Sequence, residues 1–459
     1  MFVLHLLFFQ CLFMSILAMP YYVPLQGIVG GKRTLVYLDS LLSRTTFSSF
    51  FNSMTMAGHS LTYASSNDDK VQLKKYGEYA YDNIVMLAPK AEDFGGINFA
   101  DILEFISSGG NVIVGANSDL SDQQRGFLAS CGIKIATDSN IIDHSKYVDE
   151  IDVEKIHDAI AVSRVVKKDV LVGKLASKNN KDINILYRGV GLNVATPNNE
   201  LAVKVLQGNP TSVGAKAKGA HEPPLLVAAV QGRNNARVLV AGSLDMFSNE
   251  FMYIKTGDNE YFCDKLMQWT FGGAGVLRFR DVEHAQSDGT PPDVILHEKE
   301  RPDLPQSLYP DPEITRNSLV YRIKDEIVYS LVVEESVDGQ WVPFKADDMQ
   351  MEFVMLDAYV RANMTADNNG KFSCTFTAPD DYGIFKFRVL YRRPGYSTIH
   401  SETKVSLRPF KHDEYERFIL SAYPYYTSAA VMVGAFLSFS VLFLLTADKT
   451  DKIIKSKAE

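Results

Sequence analysis

The sequence predicts an α/β domain of flavodoxin-like or amidotransferase-like type with a mostly parallel sheet, followed by an immunoglobulin-like β-sandwich and one C-terminal transmembrane helix. Three observations indicate this fold class. Short continuous apolar runs alternate with helical patterns in the first half, period-two alternation marks residues 316–408, and nineteen residues without a charge run from Thr427 to Leu445. The chain is thus predicted to be a large body on one membrane anchor.

The chain begins with an apolar run at residues 2–17, which has the length of a signal-peptide core. We therefore expect a signal peptide over 1–18, with cleavage near Ala18, although no Lys or Arg precedes the run. The rest of the chain would then enter the secretory pathway. If the run were retained, the chain would cross the membrane twice.

Composition limits the classes of protein that the chain can belong to. The 459 residues are 46% hydrophobic and 22% charged, which suits two or three globular domains. The net charge of -8, with no clustered basic face, argues against a nucleic-acid partner. Outside the signal, Cys131, Cys263 and Cys374 are odd in number and widely spaced, so they predict neither a disulfide framework nor a zinc site. Whether any two of them pair stays open.

The α/β domain is expected over residues 30–275. Its strands are continuous apolar runs, as a parallel sheet covered on both faces requires, and each early strand is followed by a segment with helical periodicity. The strands are predicted at 34–38, 83–88, 111–116, 183–187, 225–230 and 237–242, and the helices at 45–56, 97–106, 120–128 and 261–271.

Ligands of such a fold bind in the loops beyond the carboxyl ends of the strands. Those loops carry Asp39, Ser40, Pro89, 117–119, Gly242, Ser243 and Asp245. The chain has no nucleophile elbow and no P-loop, and the segment RGVGLNV at 188–194 lacks the third glycine of a dinucleotide fingerprint.

We therefore predict no catalytic, cofactor-binding or metal-binding residue in this domain. Asp39 and Asp245 are expected to cap loops. Cys131 lies at the end of a predicted helix rather than on the sharp turn that an amidotransferase nucleophile needs. His144 and His221 are expected to be surface or packed residues.

A proline-rich segment at 281–315 predicts a linker between the two folded parts. The β-sandwich is then expected over 316–408, because apolar and polar residues alternate in runs such as 383–391 and turn signals separate these runs. The sequon Asn363-Met364-Thr365 precedes the Asn369-Gly370 turn, so Asn363 is a candidate N-glycosylation site at a solvated hairpin tip.

The transmembrane helix is predicted at 427–445, because nineteen residues at about 1.5 Å each span the hydrocarbon core of a bilayer. Tyrosines at 423, 425 and 426 precede it, and a lysine-rich tail at 446–459 follows it. By the positive-inside rule the tail is cytosolic and the bulk of the chain lumenal, as in a single-pass type I protein. A buried core helix is the alternative, but such a helix normally carries a polar stripe.

Two short patterns in this region have functional interpretations. Ala430, Gly434 and Ser438 form a small-residue stripe that would let a partner helix approach closely; a lipid-facing glycine without a role is the alternative. The spacing of Lys455 and Lys457 in KSKAE is similar to that of the dilysine signal, which retrieves type I proteins to the endoplasmic reticulum. The alternative is that these lysines only form the positively charged flank that commonly follows a membrane span.

Six segments of the chain together resemble one protein family, the 48 kDa subunits of eukaryotic oligosaccharyltransferase. The resemblance extends in order from Gly30 to Leu445. The segments are GGKRTLVYLDSLL (30–42), KYGEYAYDNIVMLAPKAEDFGG (75–96), QGRNNARVLVAGSLDMFSNEF (231–251), WVPF (341–344), DDYGIFKFRVLYRRPGY (380–396) and YERFILSAYPYY (415–426).

The resemblance implies a role in protein N-glycosylation in the endoplasmic reticulum membrane. The family's complex transfers a preassembled oligosaccharide from dolichyl diphosphate to Asn in Asn-x-Ser/Thr, and this chain would be an accessory subunit needed for assembly and stability. A polytopic catalytic subunit, further subunits and membrane lipid would be its partners, and it would need no cofactor of its own. The alternative is that the α/β domain is itself a lumenal sugar-binding or hydrolytic unit.

Overall fold

The computed structural model describes residues 32–65, 71–151, 156–166, 183–195, 201–214, 223–296, 317–337, 339–415 and 417–456. The predicted signal peptide, His221, Lys457 and most of the predicted linker lie outside these residues. The chain forms two compact units. The first comprises Met1–Gly289, Ile327–Phe376 and Lys386–Thr403, and the second comprises Thr290–Glu326, Thr377–Phe385 and Lys404–Glu459.

Strands and helices alternate through the first part of the first unit. The elements are β1 (Arg33–Leu38), a 3-10 turn (Leu41–Arg44), α1 (Ser48–Met56), β2 (Ser60–Ser65), β3 (Lys74–Lys75), β4 (Glu78–Tyr79), β5 (Asn83–Leu87), α2 (Phe99–Ser107), β6 (Asn111–Gly115) and α3 (Asp122–Ser130). Strand-rich chain follows, with β7 (Ile133–Ile142), β8 (Ile160–Val162), β9 (Ile185–Tyr187), β10 (Val190–Val194), β11 (Ala202–Gln207), β12 (Val213–Gly214), β13 (Leu225–Gln231), β14 (Arg237–Ala241), a 3-10 turn (Asp245–Phe247), α4 (Asn249–Met252) and α5 (Asn259–Thr270).

The main sheet of this unit has ten strands in the order β12-β7-β10-β13-β14-β6-β5-β1-β2, with β11 beside β13. From β2 to β14 the neighbours are parallel. Two of these pairs, β1–β2 and β5–β6, are joined by the helices α1 and α2, which return the chain to the edge where the first strand began. From β14 onward the neighbours are antiparallel. The tight turn at 232–236, closed by the bond from Gly232 N to Ala236 O, permits only an antiparallel return. The sheet is therefore mixed, and its parallel part contains the early strands predicted from the sequence.

Both faces of this sheet are covered, as the continuous apolar strands predict. Val36 and Leu38 pack in one buried cluster with residues of α1 and α5, whereas Leu35 and Tyr37 pack in the opposite cluster with residues of α2 and α3. Alternate residues of one strand thus enter two different cores, which is why the run from Leu35 to Leu38 is continuously apolar.

The remaining elements are mostly strands. They are β15 (Val276–Gln286), β16 (Asp293–Leu296), β17 (Asn317–Arg322), β18 (Glu326–Val337), β19 (Gln340–Pro343), β20 (Gln350–Val354), β21 (Ala358–Asn363), β22 (Thr365–Ala366), β23 (Lys371–Thr377), β24 (Gly383–Tyr391), β25 (Ile399–Arg408), a 3-10 turn (Leu420–Ala422) and α6 (Tyr423–Ser456). Residues 281–286, which the proline-rich pattern assigns to a linker, continue β15, and 283–286 pair with β18 after a register shift.

Within the first unit these strands form two facing layers. One layer has the order β15-β18-β23-β22, with β19 beside β18, and the other contains β20 between β21 and β24. Aromatic side chains from both layers meet in the core. Phe387 of β24 lies 5.0 Å from Tyr329 of β18, and Phe353 of β20 lies 5.2 Å from Phe376 of β23, between ring centres. This is a β-sandwich, and the predicted fold class is confirmed.

The second unit contains β16, β17, the end of β25 and α6. β16 is antiparallel to β17, and β17 is parallel to β25 through Val320 and Ser406. After β25, the two terminal nitrogens of the Arg408 guanidinium, Nη1 and Nη2, donate to the carboxylate of Glu414, at 2.6 and 2.9 Å. This two-point bond closes the turn between the last strand and the segment that leads into α6.

Candidate functional site: the strand-end loops and the membrane helix

The loop after β1 holds the first of the predicted strand-end residues, Asp39. Partial burial raises the pKa of this carboxyl, while a bond from the backbone N–H of Lys90 and the lysine charge act in the opposite direction. The ammonium of Lys90 also lies 3.5 Å from Asp119. Ser40 accepts a bond from Leu42 N and so caps the 3-10 turn. The structure therefore brings both Asp39 and Asp119 to Lys90, the first to its backbone and the second to its ammonium, and each carboxylate links neighbouring loops.

The loop after β14 holds Ser243 and Asp245. The Ser243 hydroxyl is fully buried, donates to Arg188 O at 2.6 Å and accepts from Met246 N at 3.1 Å. Asp245 accepts from Arg188 Nε at 2.7 Å. Both side chains are engaged with neighbouring loops, and the Ser243 hydroxyl donates to a backbone carbonyl rather than to a base that could activate it as a nucleophile.

The three described cysteines are free thiols. Burial raises the pKa of Cys131 to about 12 and that of Cys374 to about 11, and it raises the pKa of Cys263 still further. A thiol that stays protonated is a poor nucleophile and a poor metal ligand. Among the described residues, no group of three or more His, Cys, Asp or Glu side chains could hold a metal ion.

The sequence did not reveal two side-chain clusters near the end of β7. His144 and His157 face each other with 2.8 Å between their Nδ1 atoms, and Tyr147 stacks on the His157 ring. Asp143 is fully buried and accepts bonds from Thr211 and Ser212, among others. These partners are 10 to 69 residues apart in the chain, so no local pattern signals their proximity.

The helix α6 contains the predicted span. The candidate span, Leu420–Thr446, has 27 residues and begins in the 3-10 turn just before α6; its most apolar 18-residue window has a mean hydropathy of 2.3 and is not buried against the described chain. Within α6, five serine and threonine hydroxyls donate to a carbonyl three or four residues earlier, for example Ser438 to Gly434 O and Ser440 to Phe436 O, both at 2.8 Å. Polar groups are thus satisfied within the helix, as a hydrocarbon environment requires, and the helix fits a single membrane span.

The small-residue stripe lies on an exposed part of this helix. Ala430, Gly434 and Ser438 are all exposed, and a Cβ atom at Gly434 would meet nothing in the chain within 4 Å. At the N-terminal end, Tyr423, Tyr425 and Tyr426 are also exposed. The position suits amphipathic rings at the membrane interface.

The other two predicted sites are the glycosylation site Asn363, which the structure describes, and the retrieval signal Lys455 and Lys457, which it describes only in part. Asn363 is exposed, but it is the last residue of β21 rather than part of a hairpin loop. Lys455 falls within α6 with its side chain outside the described part, and Lys457 lies wholly outside it.

Comparison with known proteins agrees with the family resemblance in the sequence. A family model described as "OST48, N-terminal domain" matches residues 26–273, and one described as "OST48 middle domain" matches residues 309–447. Three relatives carry the name "Dolichyl-diphosphooligosaccharide--protein glycosyltransferase 48 kDa subunit".

The three relatives match along nearly the whole chain. The relative from Danio rerio is 37% identical over 451 residues, 93% of this chain and 94% of its own. Those from Drosophila melanogaster and Arabidopsis thaliana are 36% and 34% identical, and each covers 92% of its own length and at least 90% of this chain. The chain therefore belongs to the family of 48 kDa subunits of dolichyl-diphosphooligosaccharide–protein glycosyltransferase.

Proposed function

We propose that this chain is a non-catalytic, structural subunit of the oligosaccharyltransferase complex. The complex transfers a preassembled oligosaccharide from dolichyl diphosphate to Asn in Asn-x-Ser/Thr of nascent proteins, and this subunit is needed for its assembly and stability. The observation that carries the proposal is the similarity to three named subunits over at least 90% of the chain.

The non-catalytic role is supported by what the strand-end side chains do. A transferase of this kind needs a nucleophile, a base or carboxylates free to act on the substrate. Asp39 instead holds the backbone of Lys90, Ser243 holds two backbone groups, and Asp245 pairs with Arg188. The chemistry is therefore assigned to another chain, a polytopic catalytic subunit.

The orientation follows from the charge next to the span. The lysine-rich tail at 446–459 is cytosolic, and the body that precedes α6 is lumenal. Lys455 and Lys457 act as the retrieval signal that keeps this single-pass type I protein in the endoplasmic reticulum. Lumenal placement puts the body on the side of the membrane where nascent chains emerge.

The contact with partner helices is made by the stripe of Ala430, Gly434 and Ser438. Helices in lipid associate through close packing of small residues, since the hydrophobic effect does not drive them together. The stripe is exposed, and its one hydroxyl is already bonded within the helix, so a partner helix can approach it closely without leaving a polar group unpaired.

The test is depletion of this chain, followed by purification of the remaining complex in mild detergent. After depletion we expect the abundance of the other subunits to fall. In a second purification, with the wild-type chain as bait, we expect the polytopic subunit to co-purify. The proposal would be contradicted if the chain purified alone and if its depletion left the other subunits at their normal level. Sugar binding or hydrolysis by that isolated chain would then favour the alternative of an independent lumenal unit.

A further inference from the structure

The sequon of Asn363 lies where the chain crosses from one layer of the sandwich to the other. The backbone of Asn363, in β21, is paired with Gln350 of β20. The backbone of Thr365, in β22, is paired with Ser373 of β23. Met364 between them is 2% exposed, and its N–H donates to Met349 O at 2.9 Å. All three residues of the sequon are therefore fixed by strand pairing once the sandwich has formed.

The side chain of Asn363 nevertheless remains at the surface. It is exposed, and its amide oxygen accepts a bond from Gln350 Nε2 at 2.9 Å. N-glycosylation modifies the amide nitrogen and leaves the oxygen as an acceptor, so this bond can persist in the modified protein. The folded sandwich can thus carry a sugar at this position.

The folded sandwich is, by contrast, a poor acceptor for the transfer itself. The Thr365 hydroxyl donates to Ser373 O at 3.2 Å, and the sequon backbone is committed to β20 and β23. A transferase that requires Ser or Thr in the sequon must reach this hydroxyl, and it must bind the chain in its own cleft. In the folded sandwich the Thr365 hydroxyl is already bonded to Ser373 and the sequon backbone is already paired, so neither contact with the transferase can form.

We propose that Asn363 is N-glycosylated before β21 pairs with β20 and β22 pairs with β23, and that the glycan then stays on the exposed edge of the sandwich. In the transfer, the Asn363 amide nitrogen forms a bond to C1 of a sugar carried on a lipid diphosphate. The bond between C1 and the phosphate oxygen breaks, the diphosphate leaves with its electron pair, and the amide nitrogen gives up one proton. The proposal rests on the lumenal orientation of the body proposed above.

The position of the glycan has a physical consequence for the sandwich. Of the described strands, β20 is the one that pairs with β21, so β21 lies at the edge of its sheet. Unpaired N–H and C=O groups on an edge strand can pair with another chain. A glycan at the end of β21 hinders such pairing without occupying the core.

The first experiment measures the modification in the full chain, made in a eukaryotic secretory pathway. We expect a mobility shift that peptide N-glycosidase removes, with the site identified as Asn363 by mass spectrometry. Thr365→Ser should keep the shift, and Asn363→Gln and Thr365→Val should abolish it. Asp119→Thr, placed in the Asn363→Gln background, creates a sequon at the loop residue Asn117 and reports the orientation independently.

The outcomes separate this proposal from the proposed function. No glycan at Asn363, with a glycan at Asn117 in the control, overturns the modification and leaves the lumenal orientation standing. No glycan at either position overturns both.

The second experiment tests the timing. Supply of the lipid-linked donor is blocked during synthesis and restored after folding, for the wild type and for Phe372→Asp. Phe372 is fully buried and its backbone pairs with Ala366, so this variant should not complete the β22–β23 pairing. We expect glycan addition after restoration in the variant and not in the wild type. Modification of the folded wild type, or equal behaviour of the two chains, overturns the proposed order of events.

Discussion

Arg237 and Trp269 form a buried pair in which the guanidinium lies 4.6 Å from the centre of the indole ring and donates to the tryptophan's own carbonyl. Arg237 is 2% exposed and Trp269 is fully buried. The guanidinium also donates to Ala274 O at 2.7 Å and Gly275 O at 2.8 Å, and the indole N–H donates to Gly395 O at 2.8 Å. Burial lowers the pKa of Arg237 to about 9, so it remains charged at neutral pH, with carbonyl oxygens as its acceptors.

The first prediction concerns this buried charge. Arg237→Met should lower the free energy of unfolding by about 2–4 kcal/mol, because buried carbonyls lose their donors. The fluorescence of Trp269 during urea unfolding in mild detergent reports the change. Arg233→Met, at an exposed position four residues earlier, should change stability by less than about 0.5 kcal/mol. Equal effects of the two substitutions would show that the carbonyl contacts carry little stability.

The second prediction concerns pH. The His284 ring lies 4.9 Å from the Phe387 ring, and burial lowers its pKa to about 4. In the unfolded chain its pKa is about 6.5, so between these values the unfolded state binds the extra proton and stability falls as the pH falls. The contribution is about 3 kcal/mol at most. Unfolding measured between pH 7 and pH 4, in the wild type and in His284→Gln, gives the contribution as a difference.

The control for this pH dependence is His412→Gln, since the His412 side chain is exposed. We expect His412→Gln to follow the wild-type curve and His284→Gln to lose less stability on acidification. If all three chains lose stability in parallel, His284 is not the group responsible.

The third prediction concerns the membrane helix. A Cβ atom at Gly434 meets no described residue within 4 Å beyond the helix's own backbone, so we attribute an effect of Gly434→Leu on the complex to a neighbour outside this chain. We expect at least a several-fold fall in co-purifying subunits, measured by quantitative mass spectrometry after extraction in mild detergent. Ser440→Leu adds bulk on a different face of the helix and should leave co-purification unchanged. An intact complex with Gly434→Leu would remove the stripe as a contact.

The fourth prediction concerns the tail. Replacing Lys455 and Lys457 together by Ser should release the protein to the cell surface, where surface biotinylation detects it. Lys449→Ser with Lys452→Ser removes the same charge next to the span and should leave the protein in the endoplasmic reticulum. Unchanged residence of the first variant would assign retention to the complex rather than to the tail.

Much of the architecture could be predicted because its causes are local. Strands β1, β5 and β6 begin or end within a residue or so of the predicted apolar runs, since both faces of each strand are buried and four consecutive apolar residues follow the polar residues at each strand's start. The membrane span could also be predicted from the sequence, because the hydrocarbon core of a bilayer disfavours charged side chains along the whole length of the helix.

Other features depend on partners far apart in the chain and could not be predicted. β7 mixes polar and apolar residues, and it is a strand because β10 and β12 pair with it. The burial of Asp143 depends on hydroxyl groups 68 and 69 residues away. Asn363 was expected in a loop because a turn signal follows it, but tertiary pairing with β20 extends β21 to include it.

The proposed role of this subunit is to support the transfer of oligosaccharide without performing it. Transfer from a dolichyl-diphosphate donor to an Asn-x-Thr peptide tests this role, measured with the chain purified free of other subunits and with the intact complex from the same membranes. We expect transfer by the complex and none by the isolated chain. Transfer of sugar by the isolated chain would show that the chain is itself catalytic and would overturn the proposed role.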